Sequence, residues 1–116
     1  MYGAEPKERD VTLRSLASGE LVTMEDPTKS IADGTTCNIT DVALQIMLKT
    51  LKKVVLASDD AIRKAMELIF NRLKIVVEPS GALGIAAILE NKGVFKGKKV
   101  GVVLTGGNVD LKEFKF

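Results

Sequence analysis

Lys98-Lys99-Val100-Gly101-Val102-Val103-Leu104-Thr105-Gly106-Gly107-Asn108 is the stretch whose reading decides the fold. Two lysines lead into an unbroken apolar run, and a hydroxyl, two glycines and an amide end it. A run of this kind, bounded by turn residues, reads as a strand buried on both faces, as in parallel sheets. Open α/β sheets bind ligands just outside the carboxyl ends of their strands, which is where residues 105–108 fall. Glycines there let the backbone come close to a ligand. The same residues also suit a tight turn linking a core strand to a helix. The stretch alone leaves both readings open.

The surrounding composition narrows the choice. With 116 residues, 46% hydrophobic and 28% charged, the chain fits one globular domain over residues 1–116, able to bury a real core. The formal net charge is +2, with basic residues scattered among acids, and there are one tyrosine, four phenylalanines and no tryptophan. That is not the aromatic and basic surface of a nucleic-acid binder. No apolar run reaches bilayer length. The N-terminus lacks the basic and apolar regions of a signal peptide, so the cytoplasm is the expected location. The single Cys37 excludes an internal disulfide. The absence of histidine removes the commonest metal ligand and the commonest general base. Chemistry must then come from carboxylates, lysines, hydroxyls or a bound cofactor.

Working outward along the chain, Tyr2-Gly3-Ala4 reads as the end of a strand. Asp10 caps a helix with Leu13, Leu16 and Ala17 at helical spacing and Gly19 as its stop. Leu21-Val22-Thr23-Met24 is a weak strand candidate, closed by Glu25-Asp26-Pro27. Residues 28–38 read as loop. Thr40 or Asp41 caps a helix whose apolar face is Val42, Ala43, Ile46, Met47 and Leu51. Val54-Val55-Leu56 is a brief buried strand. Ser58 caps the clearest helix, with Asp59 and Asp60 at its positive end and a core stripe of Ile62, Ala65, Met66, Ile69 and Leu73. Ile75-Val76-Val77 leads through Glu78-Pro79-Ser80-Gly81 into a helix that is apolar on every face and rich in small residues, so it is expected to be buried all round. Val109-Asp110-Leu111 looks like the start of a last helix. Strands alternating with helices predict an α/β fold of three layers, with a short, mainly parallel sheet of three or four strands flanked by helices. The chain begins and ends abruptly inside secondary structure, as part of a larger fold would.

Few groups here could carry chemistry. Glu78 enters a turn beside buried surface, where a carboxylate must be paired, exposed or protonated. Ser80 either caps the helix it opens or leaves that helix's N–H groups to an anion. Glu5, Glu8 and Asp10 form either a hard-cation site or, with Lys7 and Arg9 interleaved, a solvated mixed-charge surface. Cys37 has no nearby base and reads as a spectator thiol.

Four stretches carry a family resemblance: Tyr-Gly-Ala-Glu-Pro at 2–6, Ile-Ala-Asp-Gly at 31–34, Val-Glu-Pro-Ser-Gly-Ala at 77–82 and Leu-Thr-Gly-Gly-Asn-Val-Asp-Leu at 104–111. In this order and spacing they resemble the C-terminal half of the large domain of threonine and serine dehydratases and eukaryotic-type serine racemases, pyridoxal-phosphate enzymes of fold type II. The intervening residues 58–73 match as well. The resemblance implies pyridoxal phosphate as cofactor. It places Thr105, usually serine in the family, at the pyridine nitrogen, where a hydroxyl moderates the electron sink and suits β-elimination. It places Gly34 and Glu78 beside the ring, with Gly106 and Gly107 shaping the same wall.

The resemblance also implies what the chain lacks. The Schiff-base lysine and the glycine-rich phosphate loop belong to the family's N-terminal half and have no counterpart here, so no catalytic residue is assigned. Valine at Val11 cannot supply the carboxylate that completes the family's divalent-cation site beside Glu5 and Arg9, and no metal ligands are assigned. Met1 stands where relatives have an apolar strand residue. That suits either a reading frame opening partway through an ancestral gene or a deliberate truncation. The expected activity is therefore that of a dehydratase-like cofactor-binding piece, inactive alone. The expected partner is a complementary N-terminal-half chain or a second copy in a dimer. The alternative is a non-catalytic, self-associating or small-ligand-binding domain of the same descent.

Overall fold

The sheet has fewer strands than the sequence predicts. A computed structural model describes residues 1–25 and 30–114. Strands β1 (Tyr2–Pro6) and β2 (Lys53–Ala57) pair in parallel, with Tyr2 opposite Lys53 and Pro6 opposite Ala57. They are the only paired strands among the described residues. The segments 21–24, 75–77 and 98–104 form no ladder, so the expected three or four strands become two. The physical reason is pairing. A strand is defined by a neighbour, and the 98–104 run has none. Lys98 N donates to Phe95 O and Gly106 O accepts from Glu78 N, and between those points the run makes no backbone hydrogen bond with the described chain. Apolar composition makes a segment fit for a sheet without supplying its partner.

The three layers are present. Successive strand side chains point to opposite faces. Val55 and Ala57 enter the main core, with Tyr2 and Ala4 packed against it. On the other face Gly3 lies against Val54 and Leu51. Helix α1 (Val11–Ser18) covers that side, joined to β1 by Glu5. The Glu5 carboxylate is buried and accepts from Thr12 N at 2.9 Å and Leu13 N at 3.1 Å. It therefore satisfies donors at the start of α1 that Asp10, at the cap position but making no side-chain cap, leaves open. The helix stops at Gly19, as predicted. Buried Ser15 donates to Val11 O at 2.7 Å and accepts from Val22 N at 2.9 Å, which turns the following segment back across the helix.

Helix α2 (Asp41–Thr50) begins at Thr40, whose hydroxyl accepts from Ala43 N. Its expected buried face needs correction. Leu44 is buried and Ala43, Met47 and Leu51 are half-buried, whereas Val42 and Ile46 are 71% and 57% exposed. Apolar residues occupy almost every position from 42 to 48, so two stripes exist and only one meets the rest of the chain. Helix α3 (Asp59–Leu73) follows the prediction from its Ser58 cap to its core residues Ile62, Ala65, Met66 and Ile69. The stripe outruns its cover at Leu73, which is 56% exposed.

Helix α4 (Pro79–Glu90) packs along α3 and beneath both strands. Ala82, Leu83, Ala86 and Ala87 are buried, while Gly84, Ile85, Ile88 and Leu89 are half-buried. The all-round burial expected of it is thus incomplete, because the 98–104 segment on that side leaves a cleft. The far end of α4 is pinned to both strands. Glu90 accepts from Lys7 Nζ and from Ser58 N at 2.7 Å, and Asn91 Nδ2 donates to Leu56 O at 2.8 Å. The hydrogen bond from Lys7, followed by that from Ser58 N, holds the Glu90 carboxyl below its usual range. A short helix α5 (Lys92–Phe95) sets Phe95 against Tyr2, ring centroids 5.2 Å apart. A 3-10 turn, Leu111–Glu113, stands where the last helix was expected. Asp26, Pro27, Thr28 and Lys29 of the predicted turn and loop lie outside the described residues. No helix among the described residues is long and apolar enough to cross a membrane.

Candidate functional site

The residues singled out in the sequence converge on the first turn of α4. Pro79 opens that helix at a position where its missing N–H is harmless. Glu78 immediately precedes it and is half-buried. Its N–H donates to Gly106 O at 3.3 Å, and its Oε2 accepts from Asn108 N at 3.2 Å. Gly106 has φ +67°, in the left-handed region that glycine adopts freely, and a side chain there would overlap the Glu78 carboxylate. Gly107 passes so near Val76 that an added Cβ would sit 3.1 Å from its carbonyl oxygen. Glu78 is therefore neither a solvated loop acid nor a buried lone charge. It is the anchor of the 106–108 turn.

Thr105 is held from the other side. Its carbonyl oxygen lies directly on Gly81 in the first turn of α4, and any side chain at Gly81 would overlap it. Its own side chain is exposed, and its hydroxyl makes no hydrogen bond with the described residues. Thr105, Gly106, Gly107 and Glu78 thus form one unit whose backbone is fixed and whose hydroxyl is available.

Gly34 joins this unit indirectly. It sits in the 3-10 turn Asp33–Thr35, and its N–H donates to Asp33 Oδ1 at 2.8 Å and to Ser80 Oγ at 2.9 Å. A Cβ on Gly34 would lie 2.9 Å from Ser80 Oγ. Ser80 therefore accepts from the 33–35 turn; it does not cap α4, which has no side-chain cap. Sequence reasoning missed that bridge, and it missed the contact of Gly81 with Thr105. The usable signal was the Ser-Gly opening of a helix built of small residues, which announces close packing without naming the neighbour.

Near the N-terminus, Glu5 is committed to α1. Arg9 is buried, and its Nη2 donates to Asn38 Oδ1 at 2.7 Å. Asn38 Oδ1 also accepts from Met24 N. No group of three or more histidine, cysteine or acidic residues among the described residues is placed to hold a metal ion. Cys37 is exposed and free.

Similarity to known proteins agrees with this geometry. The chain is 42% identical over 111 residues to a beta-hydroxyaspartate dehydratase of Paracoccus denitrificans, covering 96% of this chain and 35% of that protein. It is 41% identical to a serine racemase of Dictyostelium discoideum, covering 96% and 35% respectively. Among solved structures, a T.th. threonine deaminase superposes with a TM-score of 0.88 at 35% identity, covering 94% of this chain and 40% of that one. Maize serine racemase superposes at 0.87 with 38% identity, covering 97% and 36%. These neighbours share the fold type II architecture, and the chain spans about a third of the length of its relatives. The family model described as "Pyridoxal-phosphate dependent enzyme" matches residues 1–106, and the chain belongs to that family.

Proposed function

We propose that residues 1–116 act as one domain that supplies the ring-nitrogen side of a pyridoxal-phosphate pocket in a threonine/serine dehydratase-like ammonia-lyase. In this reading the chain is inactive alone and works in the cytoplasm with a partner carrying the lysine and the phosphate loop. One observation carries it: the Thr105 hydroxyl is exposed and without a hydrogen-bond partner among the described residues, on a backbone fixed by Glu78 and Gly81. The residues fit the cofactor. A hydroxyl can donate, as a neutral ring nitrogen, which only accepts, requires, and the side-chain-free Gly106 and Gly107 leave the wall open to a flat ring.

When bound, pyridoxal phosphate supplies an electron sink for charge developing at the α-carbon of an amino acid. The chain's own residues bind and orient. Thr105 offers a hydrogen bond to the ring nitrogen without imposing a positive charge on it, since a hydroxyl does not stabilise the protonated form as a carboxylate would. Glu78 accepts from the N–H of Asn108, holding the 106–108 turn. Gly34, tied to Ser80, closes the same end of the site.

Co-expression with the portion of the Paracoccus denitrificans relative that this chain does not span tests the reading. With pyridoxal phosphate and L-threonine, L-serine or 3-hydroxyaspartate, the expected outcome is 2-oxo acid from the mixture and none from the chain alone. Turnover by the chain alone overturns the need for a partner, and no turnover in the mixture overturns the assignment. A second reading, a non-catalytic domain that self-associates as a dimer, is favoured by the exposure of Val42, Ile46 and Val103. Sedimentation of the chain by itself decides that question.

A further inference from the structure

The starts of α1 and α3 each carry an aspartate four residues before an arginine, and they use the pair differently. At α1 the two meet, with Arg14 Nε donating to Asp10 Oδ1 at 2.8 Å. Opposite charges at this spacing on a helix surface ordinarily do so. At α3, Asp59 and Arg63 make no ion pair with each other. Asp59 reaches back to the preceding loop, where its Oδ1 accepts from Ser30 Oγ at 2.7 Å and its Oδ2 from Ile31 N at 3.1 Å. Buried Ser30 accepts in turn from Ala32 N, and Ala32 O accepts from Thr35 N at 3.0 Å. The hold thus passes by successive bonds to the turn that carries Gly34. Arg63 reaches the other way. Its guanidinium lies over the Phe114 ring, 5.3 Å from the centroid, and Phe114 and Val109 pack against the main core. That contact anchors the segment leaving the 105–108 turn. A cavity of about 230 Å³ lies between the two holds, walled by Ile31 and Asp33 from the first turn, Asn108 and Asp110 from the second, and Arg63 itself.

We propose that Asp59 and Arg63 are positioning residues: from one turn of α3 they set the gap between the turn carrying Gly34 and the turn carrying Thr105. The inference rests on the pocket reading above, in which those two turns flank the cofactor ring. Two observations favour this over a role in starting the helix. Ser58 already caps α3, its hydroxyl accepting from Ala61 N, and Asp60 places a second carboxylate in the first turn. The start of α3 is therefore furnished without Asp59. Pairing with each other would also satisfy both charges locally, as at α1, and would leave each turn to its own bonds. Instead each side chain is spent on a different turn of the candidate site.

Hydrogen exchange on the chain alone tests the clamp, and cofactor titration of the assembly co-expressed as above tests its purpose. Asparagine has one side-chain acceptor where Ser30 and Ile31 need two. Asp59→Asn is therefore expected to speed exchange at the amides of Ile31, Ala32 and Gly34 about tenfold, the loss of a bond to a charged acceptor. Arg63→Ala is expected to speed exchange at the amides of Asn108 and Val109 about threefold, in keeping with one exposed cation–π contact. Arg63→Lys keeps a cation for the ring and is expected to speed it less. Amides of residues 65–69 in the α3 core are the control, expected to keep their rates within about twofold. In the assembly, Asp59→Asn and Arg63→Ala are each expected to weaken pyridoxal-phosphate binding by about threefold to tenfold through misplacement of the turns, and Arg63→Lys to recover part of the loss. Unchanged exchange at both turns overturns the clamp, and so does acceleration shared equally by residues 65–69, which marks a merely structural role. Opened turns with unchanged cofactor affinity also overturn the proposal while the pocket reading stands. An unmodified assembly that binds no cofactor refutes the pocket reading, and the exchange rates then decide the clamp by themselves.

Discussion

Thr105 and Gly81 meet at one point with different consequences. Thr105→Val removes the hydroxyl at an exposed position, so stability is expected to change by less than about 0.5 kcal/mol. In the complemented assembly the same change is expected to lower pyridoxal-phosphate affinity about tenfold, the loss of roughly one hydrogen bond. Thr105→Ser is expected to restore it. Absorbance titration of the cofactor reads both variants, and equal affinity for Val and Thr removes the ring-nitrogen role. Gly81→Ala acts on the fold. Its methyl would overlap the Thr105 carbonyl oxygen, so the 105–108 turn must lift off α4 at a cost of about 1–3 kcal/mol, typical of overpacking. Urea denaturation measures the loss.

Among the elements, α3 and α4 supply most of the main core. Met66, 1% exposed, is central to their shared core, and Met66→Ala is expected to cost about 2–5 kcal/mol by thermal or urea unfolding. Helix α3 was also the most legible in the sequence, together with the start of α2. Ser58 and Thr40 announce their helices because a cap is a local bond, complete within four residues. The α3 stripe is legible because charged residues mark its outer face. The α2 face was not, since Val42 and Ile46 are as apolar as Leu44 and only the rest of the chain decides which stripe is covered. The 98–104 run failed as a strand for a related reason, because pairing depends on a neighbour that its own residues do not encode. At the candidate site, the grouping of Thr105, Gly106, Gly107 and Glu78 followed from motif resemblance, while the Ser80–Gly34 bond, between residues 46 apart, had no local signature.

At the scale of the whole molecule, the link between Lys7 of the β1 end and Glu90 of α4 makes stability depend on pH. The folded-state pKa of Glu90 is lowered. Its contribution is therefore present above the ordinary carboxyl value of 4.5 and is lost as pH falls through the lower folded value. Both side chains are partly exposed, so the effect is small, within about 1 kcal/mol. Glu90→Gln is expected to flatten the fall in stability on acidification below pH 4.5, and urea midpoints measured across that range check it. An unchanged acid slope removes Glu90 from the account.

The unpaired run after Lys98 and Lys99 has a consequence for the lifetime of the chain. Proteases bind their substrates as extended segments through backbone hydrogen bonds, the geometry in which strand addition also occurs. A stretch with free N–H and carbonyl groups directly after two exposed lysines is a ready substrate. Limited trypsin digestion is expected to cut first after Lys98 or Lys99, leaving the α3–α4 core intact, and mass spectrometry identifies the cut. First cleavage inside α3 refutes this expectation. A backbone without hydrogen bonds to the described chain is thus also open to degradation, and Lys98 and Lys99 mark where breakdown of the chain would begin.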